Sequence, residues 1–102
     1  MRFSIVVAAA LLAGCTSTQS ALNEAPKEVV RSEKSQTEVA FCIASKNNVG
    51  TLDAPDGAKV IQIKNGYGAV GMIFSVYADG TGSRIEIRKP ISVSVARHKQ
   101  CY

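Results

Sequence analysis

The stretch "NGYGAVGMIFSVYADG", residues 65–80, decides how the chain folds. It opens with Gly66, Gly68 and Gly71 in the spacing G-x-G-x-x-G. In a dinucleotide-binding turn such glycines join a strand to a helix whose amino terminus receives the pyrophosphate. The residues after the glycines therefore separate two folds. The run after Ala69 is dense in β-branched and aromatic residues, contains Gly71 and has no polar stripe at helical spacing, so it reads as a strand. Val70, Met72, Phe74 and Val76 alternate onto one face, with Gly71, Ile73, Ser75 and Tyr77 on the other. Asn65-Gly66 is then expected to form a hairpin turn with positive φ, and Gly71 to mark a bulge or a close approach of a helix to the sheet. Glu86 stands where a ribose-binding acid would be, 20 residues past Gly66. Arg84 and Arg88 flank it on an alternating strand, which accounts for it without a nucleotide.

Working outward, "KVIQIK" (59–64) alternates Ile61 and Ile63 with Gln62 and Lys64, and the turn-forming "DAPDG" (53–57) precedes it. On the other side "DGTGS" turns the chain into "RIEIRK" (84–89), which points Ile85 and Ile87 inward and Arg84, Glu86 and Arg88 to water. A helix is expected over 36–48. Ser35 and Glu38 form the capping pattern S-x-x-E, and Val39, Cys42, Ile43 and the stem of Lys46 fall on one stripe. The run "NNVG" stops it, with Gly50 available for a left-handed cap. In "PISVSVARHKQCY" (90–102) the alternation of Ile91, Val93 and Val95 favours a strand over a helix started at Pro90. The expected fold class is α+β, one helix packed on a three- or four-stranded antiparallel sheet.

The first residues differ in kind. "MRFSIVVAAALLAGC" places one cation before an apolar run from Ile5 to Leu12, too short to span a hydrocarbon layer that needs about 20 residues, but suited to an export signal. Its last four residues, Leu12-Ala13-Gly14-Cys15, resemble the lipobox of bacterial lipoproteins. The resemblance covers the first fifteen residues. It implies a signal peptide over 1–14, diacylglycerol transfer to the Cys15 thiol, cleavage before Cys15 and acylation of the new amino terminus. One acyl chain holds a protein only reversibly, at roughly 0.8 kcal/mol per buried CH₂, whereas two or three hold it durably. Thr16 stands where the family's inner-membrane retention signal is an aspartate. Similarity thus places the protein on the periplasmic face of the outer membrane of a Gram-negative cell. Residues 15–34, rich in Ser, Thr, Glu and Lys, read as an acylated flexible tether, with Pro26 offering the start of a short helix through Arg31. Residues 35–102 form the domain.

With Cys15 lipidated, Cys42 and Cys101 remain. An even pair in a small exported domain reads as a disulfide, which would restrict the unfolded chain by around 4 kcal/mol in the entropy model. The alternatives are a buried free thiol at Cys42 and metal binding with His98, although one imidazole and two distant thiols fall short of a tetrahedral set. His98 has no sequence neighbour that it would activate, and Asp53, Asp56 and Asp79 sit in turns. No catalytic residue, metal or cofactor is expected. Past residue 38 there are eight cations against four acids, and Arg84, Arg88 and Lys89 share one strand and its end, with Arg97 and Lys99 nearby in sequence. Such a face suits lipopolysaccharide phosphates, anionic lipid or an acidic loop of an envelope protein; solubility alone also accounts for it. Nucleic acid is not an expected partner, because aromatic interleaving for base stacking is missing. In layout, the domain resembles small lipoproteins of Gram-negative bacteria and their prophages. The expected function is a membrane-anchored, non-catalytic binding or structural module, or alternatively an exclusion lipoprotein of a prophage or plasmid that blocks an outer-membrane receptor.

Overall fold

The computed structural model describes residues 22–91 and 95–102. Residues 1–21, Cys15 and the expected signal peptide over 1–14 among them, and the alternating residues 92–94 lie outside that description. The elements run β1 (Glu28–Ser32), α1 (Gln36–Lys46), β2 (Leu52–Asp53), β3 (Lys59–Lys64), β4 (Val70–Asp79), β5 (Gly82–Arg88) and a 3₁₀ turn at Lys99–Cys101. The strands form one antiparallel sheet in the order β1-β5-β4-β3-β2, and α1 lies across one of its faces.

The α+β class and a helix packed on an antiparallel sheet are therefore observed, but among the described residues the sheet has five strands instead of three or four. The fifth comes from the segment read as tether. β1 pairs Glu28 with Ile87 and Ser32 with Ser83, and only Val30 of its five residues leans into the core. Residues 28–32 are an edge strand, so no helix from Pro26 to Arg31 forms. A strand that buries one side chain and owes its pairing to residues more than fifty positions away leaves almost no local signal.

β4 is the central strand because its residues are buried on both faces. Met72, Phe74 and Val76 meet Val39, Ala40, Ile43 and Ala44 of α1, with Ile61, Ile85 and Ile87 beside them. Ile73 faces the opposite side with Val60 and Ala58. Val70 departs from the expected face. β3 pairs Ile63 with Met72 and Lys64 with Val70, so Gly71 is the extra residue of a bulge. One inserted residue inverts the alternation, and Val70 joins the second face.

The glycines turn a hairpin, by a different device from the one expected. Gly68, not Gly66, takes positive φ (82°), and Asn65 closes the turn by accepting at Oδ1 from the Tyr67 and Ala69 amides at 2.9 and 3.1 Å. Helix α1 opens as the capping box predicts, the Ser35 hydroxyl accepting from the Glu38 amide at 3.2 Å. It ends at Lys46, two residues early, because Asn48 rather than Gly50 adopts the left-handed conformation (φ 58°). The buried stripe is Val39, Ala40, Ile43 and Ala44, with Cys42 half-buried and Lys46 exposed.

Cys42 and Cys101 form a disulfide across 59 residues. Residues 95–102 of the tail that carries Cys101 form no strand, while residues 92–94 of the expected strand lie outside the described residues. Asn47 takes both polar groups of Arg97, donating from Nδ2 to its carbonyl at 2.7 Å and accepting at Oδ1 from its amide at 3.0 Å. A side chain thus satisfies the backbone that a ladder would have paired, and the tail bends toward the helix to deliver Cys101.

Candidate functional site

Arg84, Arg88 and Lys89 were the expected anionic-partner surface, and the structure splits them. Arg84, Glu86 and Arg88 alternate on the second face of β5, opposite α1, where a second layer covers part of the sheet. Leu22 packs against the Ala58, Val60 and Ile73 cluster, and Arg88 donates from Nε to the Glu24 carbonyl at 2.8 Å. Arg88 is 9% exposed and pairs with Glu86 at 3.0 Å. Arg84 reaches the other carboxylate oxygen of Glu86 at 3.4 Å and lies over the Tyr77 ring, 4.5 Å from its centroid. Glu86 offsets one of the two guanidinium charges, and the ladder ties the chain before β1 to the sheet. Lys89, just past β5, stays apart from it.

At the end of the same face, Tyr77 donates to Asp56 Oδ2 at 3.0 Å while the Ala58 amide donates to Oδ1 at 3.1 Å. The Ala58 amide and then the tyrosine hydroxyl hold the Asp56 carboxyl below its ordinary range, and burial, with the aspartate's proton demand, pushes the Tyr77 hydroxyl up.

The unpaired cations gather elsewhere. Lys46 from the last turn of α1, together with Arg97, His98, Lys99 and Gln100 from the tail, lines a concavity of about 370 Å³. No carboxylate is among these residues, and none of Lys46, Arg97 and Lys99 has an ion pair among the described residues. The Asn47 clamp on Arg97 and the disulfide fix its walls to the helix. His98 belongs to the core side of this site. Its ring meets the Phe74 ring at a tilt of 52°, 4.9 Å between centroids, and its Nδ1 meets the Tyr102 hydroxyl at 2.7 Å. Burial pushes its pKa down, with Lys99 and Lys89 adding to the fall and Glu28 opposing it. A neutral imidazole held between two aromatic residues is a wall.

Two further concavities are apolar. One, about 380 Å³, runs between α1 and the chain leading into β2 and includes Phe41, Ala44 and Val49. Phe41 is 71% exposed, off the buried stripe. The other, about 410 Å³, lies at the base of the β3–β4 hairpin between Ile63, Lys64, Tyr67, Ile91 and Val95. Tyr67 is 99% exposed and Val95 85%.

Sequence reasoning did not single out Lys46, Phe41 or Tyr67 as surface features. A phenylalanine outside the helical stripe and a tyrosine between two turn glycines were the available signals. Among the described residues no three of His, Cys, Asp and Glu cluster as metal ligands do, and no helix is long and apolar enough to cross a membrane. No protein-family model, curated protein or solved structure matches the chain.

Proposed function

We propose that the protein is a small lipoprotein of the Gram-negative cell envelope, acylated on Cys15 and held on the periplasmic face of the outer membrane, whose domain acts as a non-catalytic binding module. The observation that carries this reading is the Cys42–Cys101 bridge. It accounts for two of the three cysteines and leaves Cys15, inside the lipobox-like Leu12-Ala13-Gly14-Cys15, for other chemistry. A disulfide of this kind belongs to an oxidising compartment such as the periplasm, and export is what the apolar run from Ile5 to Leu12 supplies. The binding role is supported by three open concavities on a rigid, disulfide-tied frame, one rimmed by cations and two by apolar side chains.

Intact mass of the native polypeptide tests the anchor, with the expected form beginning at Cys15 and carrying acyl chains. Labelled palmitate should enter the parent and not Cys15→Ala. An unmodified amino terminus, or label retained in Cys15→Ala, overturns the assignment. Cross-linking in intact envelopes followed by pull-down tests the binding role. An enriched envelope protein or lipopolysaccharide supports it, an outer-membrane receptor in the eluate favours an exclusion lipoprotein, and no enriched species counts against binding.

A further inference from the structure

The charges of the domain are sorted along the strands. At one end lie the β4–β5 turn, the loop before β3 and the start of α1. Asp79 opposes Gly82 there, Asp53 opposes Lys59, and Gln36 donates to the Gly57 and Val76 carbonyls at 2.8 Å, placing the first helical turn and Glu38 at the same end. Its acids are Asp53, Asp56, Asp79, Glu33 and Glu38, and two of its cations, Arg31 and Lys59, are already paired with Asp79 and Asp53. The other half holds the β3–β4 hairpin. Lys64 opposes Val70 at its base, the Ile91 amide reaches the Gly71 carbonyl at 3.5 Å just past Lys89, and the Lys27 amide donates to the Ile87 carbonyl at 2.8 Å. Val95 borders the hairpin, and two residues on begins the pocket of Lys46, Arg97 and Lys99. Besides Arg88, which is paired with Glu86, six cations (Lys27, Lys46, Lys64, Lys89, Arg97 and Lys99) thus share this half with the acids Glu24 and Glu28, and none of the six is in an ion pair among the described residues.

The chain enters the fold in this half as well. Glu24 is held by Arg88, whose register partner is Ile73, while Leu22 packs on the Ala58, Val60 and Ile73 cluster of the second face. From residue 15 to residue 22 is seven steps, which reach at most about 25 Å. The reading of residues 15–34 as tether gave the domain far more freedom, because β1 and the Glu24 contact take up most of that length.

We propose that the hairpin half of the domain rests on the anionic headgroups of the membrane in which Cys15 is anchored, with the Tyr67 and Val95 side chains entering the interface and Lys64, Lys89 and their basic neighbours facing the lipid phosphates. The proposal rests on the reading of Cys15 as acylated. Three observations converge on one lipid-facing surface: a short tether that enters at this half, an excess of unpaired cations, and an exposed aromatic at a hairpin tip. Tyrosine suits the interface because its ring is apolar and its hydroxyl stays wet. Each Lys or Arg close to an anionic leaflet strengthens attachment about fivefold. The acidic end then points away from the bilayer.

Tryptophan placed at either end reads the orientation. Tyr67→Trp and Thr81→Trp, both at exposed turn positions, are prepared as mature full-length protein and reconstituted in vesicles of phosphatidylcholine with about one third phosphatidylglycerol, with and without brominated chains. Bromolipid is expected to quench Tyr67→Trp and leave Thr81→Trp bright. Lys64→Glu/Lys89→Glu in the Tyr67→Trp background should lower the docked-to-undocked ratio by about 25-fold or more, and raised salt should weaken docking. Equal quenching at both ends, or none at Tyr67→Trp, overturns the orientation. Intact mass of the same preparation reports acylation separately. An acylated protein without quenching loses the docking and keeps the anchor. An unacylated protein quenched only in anionic vesicles keeps the docking surface and loses the anchor, and an unacylated, unquenched protein loses both.

Discussion

The two faces of the sheet are covered by different chemistry. On the helix side, Phe74, Ile61, Ile85, Val76, Val39 and Ile43 close into a core with side chains fully out of water, and the disulfide locks the tail onto it. On the opposite side, three buried apolar residues share the surface with the Arg84–Glu86–Arg88 ladder and the Asp56–Tyr77 pair. The first arrangement supplies most of the burial free energy, at about 1.5–3 kcal/mol per large aliphatic or aromatic side chain. The second supplies position, because each of its hydrogen bonds fixes a segment that has little apolar surface of its own. Stability and placement of the chain entry are therefore separable by mutation.

Phe74 and Ile73 are neighbours on β4, both fully buried, and point to opposite faces. Phe74→Ala is expected to cost about 3–5 kcal/mol, since the cavity is walled by helix, sheet and His98 and collapses poorly. Ile73→Ala should cost nearer 2 kcal/mol, because the thinner second layer can settle into the space. Urea denaturation of both under oxidising conditions checks the ordering, and equal losses would show that the second layer is as rigid as the first.

Cys42→Ser comes next. The bridge closes 59 residues, so its loss should lower stability by around 2–4 kcal/mol, and reducing agent should lower the parent's melting temperature to that of the mutant. Equal melting curves for oxidised parent and mutant would show that Asn47 and the core alone hold the tail.

Arg88→Ala addresses the second face. It removes the donor to the Glu24 carbonyl and one partner of Glu86, a loss of about 1–3 kcal/mol. The diagnostic readout is local. Amide exchange before Lys27 and proteolysis near Glu24 should accelerate while α1 keeps its protection. Loss of protection in α1 at the same rate would mean that the two faces unfold together.

The sequence carried the helix and the central hairpins because their signals are local. Ser35 and Glu38 are three residues apart, Ile61 and Ile63 alternate within one strand, and β3, β4 and β5 follow one another through short turns. What escaped depends on partners far along the chain. β1 becomes a strand only beside β5, and the carbonyl that accepts from the buried Arg88 belongs to Glu24, 64 residues away. Arg84 and Arg88 looked solvent-facing from period-2 alternation, which assigns a face but not what covers that face. The cation pocket was half legible. Arg97 and Lys99 are near in sequence, but Lys46 joins them only through the Asn47 clamp and the disulfide. The bulge was anticipated at Gly71, while its effect on Val70 needed the pairing register.

The smallest expected effect lies at the seam between core and cation pocket. The Tyr102 hydroxyl, pushed up in pKa by burial, lies 2.7 Å from Nδ1 of His98. Because burial holds the folded pKa of His98 below the ordinary 6.5, the unfolded chain takes up the proton first as pH falls. The stabilisation is complete above the unfolded value, is lost as pH drops through the folded one, and levels off below both. Asp56 acts in a separate, more acidic window, below its ordinary 3.8. The melting temperature should therefore fall modestly as pH drops below the ordinary histidine value of 6.5, and His98→Gln should flatten that slope while leaving the acid limb from Asp56. A nuclear magnetic resonance titration places the group directly. A His98 midpoint at or above the unfolded value would mean that Glu28 outweighs burial, Lys89 and Lys99, and that the imidazole belongs to the charged pocket rather than to the helix-side core.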